Sequence, residues 1–548
     1  MSGPGHSDLR HLGDFSVNRR TLKVAAYAIP IGALSAGVAW CLLRLIGLIT
    51  NLVFYQRLGT TLVAPGEGHH SPALILLAPV CGGLVVGLVA RFGSEKVRGH
   101  GIPEAIESIL IAGSRVQPRV ALLKPIASAV AIGTGGPFGA EGPIIMTGGA
   151  CGSISAQFLH LTADERKTLL VAGAAAGMAA TFNAPLASVL LAVELLLFEW
   201  RPRSFIPVVA AVATATVVRA PILGSGAIFP APVGSLHLAA ASYGLCVVSG
   251  IIAGFLALVA TNLVYLSEDT FARLPVHWMW WPAIGGVIVG LGGLIVPQAL
   301  GVGYNVIEAE LNGTIALNLI VGILVVKTLI WSLSLGSGTS GGVLAPILMI
   351  GGALGGLEAV IFPDVGPGFW PLVGLAGVLG GVMRSPLTGV AFALELTHRY
   401  EALLPLLIGA TAAYAVSVLV LRRSVLTEKI ARRGLHLTRE YSIDPLEILF
   451  VGDVMGAPDS GATAASDNRV AVHADDTLRH VAYVMAEQGV TSMPVVERRD
   501  HGLVVGNVTL EQLLQGRLKD LREERHSERV LSPRQLIGIG GGGNSPNL

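Results

Sequence analysis

Two segments of this 548-residue chain constrain it more than any other feature: Pro143-Ile-Ile-Met-Thr-Gly-Gly-Ala-Cys-Gly152 and Pro346-Ile-Leu-Met-Ile-Gly-Gly-Ala-Leu-Gly355 are identical at seven of ten positions. Downstream, the stretch from Val171 to Leu195 aligns with Leu372 to Leu396 at nearly the same offset, sharing Gly173/Gly374, Pro185/Pro386, Leu186/Leu387, Glu194/Glu395 and Leu195/Leu396. A period of roughly two hundred residues is too long for a solenoid. It suits a membrane transport fold made of two related halves, with a binding site where they meet.

Composition points the same way. Hydrophobic residues make up 52% of the chain and charged ones only 13%, and apolar stretches follow one another between residues 22 and 435. In hydrocarbon only helices and closed barrels satisfy their own backbone, and a barrel would alternate apolar with polar residues. The expectation is therefore an all-α polytopic bundle. Segments 101–111, 141–157 and 342–356 look too short or too glycine-rich for a span of ~20 residues, so they read as broken or re-entrant helices. Arg10, Arg19 and Arg20 precede the first apolar run without an apolar segment of their own, which makes that run a span and not a signal peptide. Arg422, Arg423, Lys429, Arg432 and Arg433 crowd the end of the last one, so both termini are expected on the cytoplasmic side. Cys41, Cys81, Cys151 and Cys246 sit in apolar segments without metal-ligand spacing and read as packing residues. With 37 basic against 36 acidic side chains there is no electrostatic case for nucleic acid.

Three clusters share one grammar: Gly99-His100-Gly101-Ile102-Pro103, Gly139-Ala140-Glu141-Gly142-Pro143 and Gly342-Val343-Leu344-Ala345-Pro346, each followed by a helix-like apolar run. Proline is tolerated where a helix begins, and glycine lets backbone N–H groups approach a ligand. Helix N-termini carry about half a positive charge, so they bind anions without the grip of a full cation. A single Gly-Pro pair usually just punctuates a turn. Three of them, two at equivalent repeat positions, point to an anion site.

Glu141 is the sharpest residue, because an ionisable group inside an apolar segment is expensive. A carboxylate at a helix N-terminus can occupy the anion site itself, then swing away or take up a proton, so it can gate and carry protons; it can also simply complement the dipole. Lys124 either adds positive potential near the path or snorkels to an interface. Glu194 and Glu395 recur in both halves, which favours capping or packing over chemistry.

These motifs resemble the CLC family of chloride channels and anion/proton antiporters, whose GSGIP, GREGP and GxFxP signatures fall at the three clusters. Phe182-Asn-Ala-Pro-Leu-Ala187 is similar to a further stretch of that family, and the resemblance extends over residues 20–435. It implies a CLC-like inverted-repeat bundle over 21–435, with halves at about 21–220 and 235–435. It also implies a multi-pass homodimer of a bacterial inner membrane, with one pathway per subunit for a small inorganic anion. Glu141 becomes the external gate, and His100, Gly101, Ile102, Gly142, Val343, Leu344, Ala345 and Leu426 line the anion site. Departures follow from the same comparison. His100 replaces the usual serine, Leu344 the phenylalanine, Leu426 the tyrosine and Ala140 the arginine, while Leu195 stands at the position of the internal proton-relay glutamate. Chloride, nitrate, bicarbonate and fluoride all stay open as substrates, as do proton-coupled exchange and uncoupled conduction. An intramembrane enzyme would need an HExxH, paired membrane aspartates or a Ser/His pair, and the apolar region has none.

Past residue 440 the composition becomes that of a soluble domain, and residues 445–520 resemble one CBS repeat. Ile448–Val451 reads as a strand, Asp475–Leu478 opens an amphipathic helix, and Ser492–Val496 and Leu503–Thr509 are strands before a last helix. A single copy implies pairing across a homodimer, either as a dimer-stabilising module or around an adenine nucleotide. Gln512 stands where a ribose-binding aspartate is usual. No other cofactor and no metal is expected. Residues 1–20 form a cytoplasmic segment and 521–548 a Gly-rich, disordered tail.

Overall fold

The computed structural model describes residues 19–110, 114, 116–230, 236, 238–432, 446, 449–457, 471–497 and 503–525. Most of the expected N-terminal segment and all but the first residues of the expected tail lie outside them. Two compact units result, Phe15–Arg439 and one that takes in Glu440–Leu548.

The larger unit runs through the same sequence of helices twice. Its first half is α1 (Arg19–Tyr55), α2 (Pro72–Phe92), α3 (Ile102–Leu110), α4 (Pro118–Gly133), α5 (Glu141–Gln157), α6 (Ala163–Phe182), α7 (Pro185–Leu191) and α8 (Pro202–Leu223). The second half repeats them as α9 (Ala240–Ala272), α10 (Trp281–Ile295), α11 (Tyr304–Leu311), α12 (Leu317–Gly322) running through a wider π turn into α13 (Thr328–Gly336), α14 (Leu344–Glu358), α15 (Phe369–Met383), α16 (Pro386–Thr397) and α17 (Leu403–Val420). A short α18 (Glu428–Arg432) follows. Among the described residues, seven helical segments are long and apolar enough to cross a membrane. Two of them, α1 with 37 residues and α9 with 33, exceed the ~20 a span needs and must run tilted. The short helices α3, α5 and α14, of 9, 17 and 15 residues, are the broken elements that the glycine-rich segments foretell.

Small residues hold each copy together. In the first half a Cβ on Gly148 would strike the Gly173 carbonyl, and one on Gly173 the Gly148 carbonyl; in the second half Gly351 and Gly374 stand in the same relation. Lipid offers apolar side chains no advantage in meeting each other, so close backbone approach through glycine is what packs α5 on α6 and α14 on α15. The axis between the halves passes close to Gly139 and Gly342, equivalent positions that pair antiparallel: the Gly139 N–H donates to Gly342 O at 3.2 Å and the Gly342 N–H to Gly139 O at 2.7 Å. Antiparallel pairing of one position with its own counterpart is a two-fold relation, so the halves are inverted.

One pair of acidic residues obeys the same axis. Glu395 accepts the Leu186 and Ala187 N–H groups at 2.9 and 2.8 Å, capping α7, while Glu194 accepts the Thr388 N–H at 2.9 Å, capping α16. Each half supplies the other's N-terminal cap. Of the cysteines, all free, Cys246 is buried and Cys151 half-buried, but Cys41 and Cys81 face outward from the bundle and do not serve as packing residues.

The smaller unit is a three-stranded sheet of Val472–His473, Ser492–Val496 and Val504–Thr509, the first pair parallel and the second antiparallel, with α19 (Leu478–Gln488) and α20 (Leu510–Arg525). Of the strand expected at Ile448–Val451, Ile448 lies outside the described residues and the rest takes another form: Phe450 makes an isolated bridge to Thr477, and Val451–Val454 is a helical turn whose N-terminus Asp453 caps by accepting the Phe450 N–H. That carboxylate, three residues after the cap, turns the backbone out of the extended form.

Candidate functional site

Three helix starts converge on the axis between the halves. At α3 the backbone turns through Gly99 and Gly101, both at positive φ (77° and 88°), on either side of His100, a conformation that selects glycine. Pro103, Pro143 and Pro346 sit in the first turns of α3, α5 and α14, where a missing N–H goes unnoticed. A Cβ on Gly142 would lie 3.2 Å from the Gly342 Cα and would collide with the His100 carbonyl, so glycine there lets the three starts approach.

Glu141 is fully buried at the first position of α5. Its carboxylate reaches across to the other half. Oε1 accepts the N–H of Leu344 and, at 3.3 Å, that of Ala345, the free donors at the start of α14. Oε2 is buried without a hydrogen-bond partner. An anionic group thus rests on an exposed helix N-terminus across the two-fold, where dipole and free N–H groups favour negative charge.

The other candidates differ in their surroundings. His100 is buried, with Nδ1 lacking a partner, and Ile102, Val343, Leu344 and Ala345 are buried too. Leu426 is also buried, in the turn before α18, but its N–H is taken by Ser424 Oγ at 3.3 Å, leaving only apolar side-chain surface. Leu195 is buried and offers no proton acceptor. Lys124 does not snorkel: it is fully buried and donates to Val97 O at 2.8 Å and Gly99 O at 2.5 Å, tying down the loop that leads into α3.

A cavity of about 490 Å³ approaches the site from the α3 side, bordered by Arg98, Glu104, Met146 and Lys429. Lys429 forms an ion pair with Glu104 at 2.9 Å, and Arg98 lies over the rings of Trp278 and Trp281, 4.7 and 5.3 Å from their centres. A smaller cavity, about 160 Å³, opens on the opposite copy beside Gly301, Gly303 and Tyr304.

The description "voltage gated chloride channel" matches residues 81–418, more than half of the chain. The chain belongs to that family, the CLC family. It is accordingly a multi-pass membrane transport protein and not an enzyme. The H(+)/Cl(-) exchange transporter ClcA of Salmonella paratyphi A is 31% identical over 424 residues, covering 72% of this chain and 85% of the relative, and ClcA of Salmonella newport matches equally well. Among solved structures, a slow cyanobacterial Cl−/H+ antiporter has a TM-score of 0.65 at 23% identity, covering 76% of this chain and 99% of its own. A CLC-type fluoride/proton antiporter has a TM-score of 0.64 at 18% identity, with coverages of 75% and 98%. These two share the fold. A CBS domain matches residues 462–519. In it the Gln512 side chain accepts the Thr509 N–H at 2.8 Å while Thr509 Oγ1 accepts the Gln512 N–H at 3.3 Å, a reciprocal cap that turns Gln512 back on its own helix.

This CLC-family bundle has a fourth helix start that its sequence does not mark with proline. Gly301-Val302-Gly303-Tyr304 repeats the Gly99-His100-Gly101-Ile102 turn with positive φ at both glycines, 68° and 85°. Lys327 repeats Lys124, donating to Ala299 O at 2.8 Å and Gly301 O at 2.7 Å. The signal was available in the G-x-G spacing, but Asn305 replaces the proline that flagged the other three.

Proposed function

We propose that this protein moves a small inorganic anion across a bacterial inner membrane, with Glu141 as the gate and as the carrier of counter-transported protons. The observation that carries the reading is the Glu141 carboxylate lying on the Leu344 and Ala345 N–H groups. A carboxylate held there stands in for the permeating anion. Protonation removes its charge, frees the α14 N-terminus and lets a free anion take its place. Chloride is the first candidate, from the ClcA relatives. His100 stands close to the α3 start, where its imidazole could favour a more strongly hydrogen-bonding anion.

Both termini are placed in the cytoplasm, so the larger cavity faces inward and the smaller one, beside the loop between α1 and α2, faces outward. The functional unit is a homodimer with one pathway per subunit. The CBS domain supports that dimer across subunits in preference to binding an adenine nucleotide, since Gln512 is engaged in its own cap.

A second reading, an uncoupled anion channel, draws support from Leu195, which cannot relay protons. Reconstituted protein separates the two. Reversal potentials under imposed anion and proton gradients shift with pH for an exchanger, and a value insensitive to the pH gradient refutes coupling. Repeating the measurement with chloride, nitrate, bicarbonate and fluoride, then with His100→Ser, reads out selectivity. If neither wild type nor Glu141→Gln carries any anion, anion transport itself is wrong.

A further inference from the structure

The second half carries a buried acid for which the transport scheme has no use. Glu310, in the last turn of α11, is 1% exposed, and both carboxylate oxygens lack a hydrogen-bond partner. Among the described residues it is the one buried carboxylate with neither oxygen hydrogen-bonded. The inverted halves say where it stands. With Gly301 matching Gly99, Glu310 takes the place that Ser108 has on α3, and Ser108 borders the inner cavity. Glu310 therefore lies on the outward side of the site, with no acid at the equivalent inward position.

Its surroundings lead toward Glu141. Lys327 is the charged group that faces it, while α14 presents only Gly352, where a Cβ would strike Glu310 Oε2. The Lys327 ammonium in turn lies 3.8 Å from the position of a Cβ on Gly303, the residue before Tyr304. Tyr304 opens the same helix. Its ring is held edge-on between Phe182 and Phe229, at 6.4 and 5.5 Å, and its buried hydroxyl has no partner. That hydroxyl lies within electrostatic reach of Glu141, whose Oε2 is likewise unpartnered. Three orphaned groups, an acid and a phenol on α11 and the gating carboxylate, thus supply the members of a proton-transfer series. The outer cavity of about 160 Å³ beside Tyr304 has room for several waters at about 30 Å³ each.

We propose that Glu310 is an outer proton-holding site that exchanges its proton with Glu141 by way of the Tyr304 hydroxyl and water in the outer cavity. A protonated Glu310 releases its proton into the series as Tyr304 passes its own hydroxyl proton to the Glu141 carboxylate. Tyr304 is restored, Glu310 becomes the carboxylate, stabilised by Lys327, and Glu141 becomes the neutral acid that leaves α14. No net charge is created in the protein. This step rests on the proton coupling proposed above.

Two measurements on the full-length reconstituted protein test it. In infrared difference spectra recorded across a change of outer pH, the wild type should show two carboxylic-acid carbonyl components, one of which Glu310→Gln removes and Glu141→Gln leaves. In proteoliposomes Glu310→Gln should slow proton flux about a hundredfold, the lower end of what a positioned proton-transfer group contributes. Tyr304→Phe, which keeps the ring packing, should slow it about tenfold, one charge-assisted hydrogen bond's worth. A carbonyl band unchanged in Glu310→Gln, or proton flux at the wild-type rate in both variants, overturns the proposal. A wild type that carries anions but no protons would refute the coupling instead; the infrared band would still decide for or against Glu310.

Discussion

Glu141 and Leu344 occupy the same place in the two halves, each two residues before the repeated proline, and the difference between them is the difference between scaffold and mechanism. Nearly everything else about the two copies is matched. Lys124 and Lys327 tie down equivalent loops, Glu194 and Glu395 cap each other's partner helices, and Gly139 pairs with Gly342. At the centre the match is broken on purpose of function: one half supplies the acid, the other the empty helix start that receives it. The acid bonds to the N–H of its own counterpart. Symmetric residues here build the frame, and asymmetric residues do the chemistry.

The strongest way to break this comparison is to erase the asymmetry. Glu141→Gln removes the proposed gate, and proton-driven anion movement should vanish, with the reversal potential no longer responding to a pH gradient; retained coupling would move the proton-carrying role elsewhere. Moving the acid across the axis is sharper still. In the double variant Glu141→Leu with Leu344→Glu, the new carboxylate should reach the α5 start, and pH should control anion flux from the inner face instead of the outer. A gate still responding to outer pH would show that the halves are not interchangeable at the site.

Smaller effects test the frame. Lys124→Met and Lys327→Met each leave two buried carbonyls without a donor, at about 1–3 kcal/mol per orphaned group. The two variants should lower thermal stability in detergent by similar amounts, and a large loss in one alone would confine the symmetry to appearance. Glu194→Gln and Glu395→Gln, which keep the shape but lose the charge at a helix start, should each cost about 1 kcal/mol, again equally.

Much of this was legible before the structure. The repeat was visible because proline and glycine mark positions where backbone geometry admits nothing else, and Glu141 stood out because a charge in an apolar run needs a reason. What Glu141 touches was not, since Leu344 lies 203 residues away along the chain. The G-x-G turn before Tyr304 went unseen because it lacks proline, and with it went Lys327 and Glu310, whose meaning depends on packing against α14 and on loops far away in sequence. The strand expected before the CBS domain failed for a local reason: Asp453 caps a helical turn there, and a hydrophobic run of four cannot distinguish the two.

The exchanged glutamate caps bear on how such a chain could arise. Severed between α8 and α9, either half would expose one helix start without its cap and one acid with nothing to cap. Neither fragment closes its own account of hydrogen bonds, yet two copies of one fragment, set head to tail, would. The protein carries within a single chain the contact surface of an antiparallel dimer, and co-expressed halves should find each other in the membrane where neither persists alone.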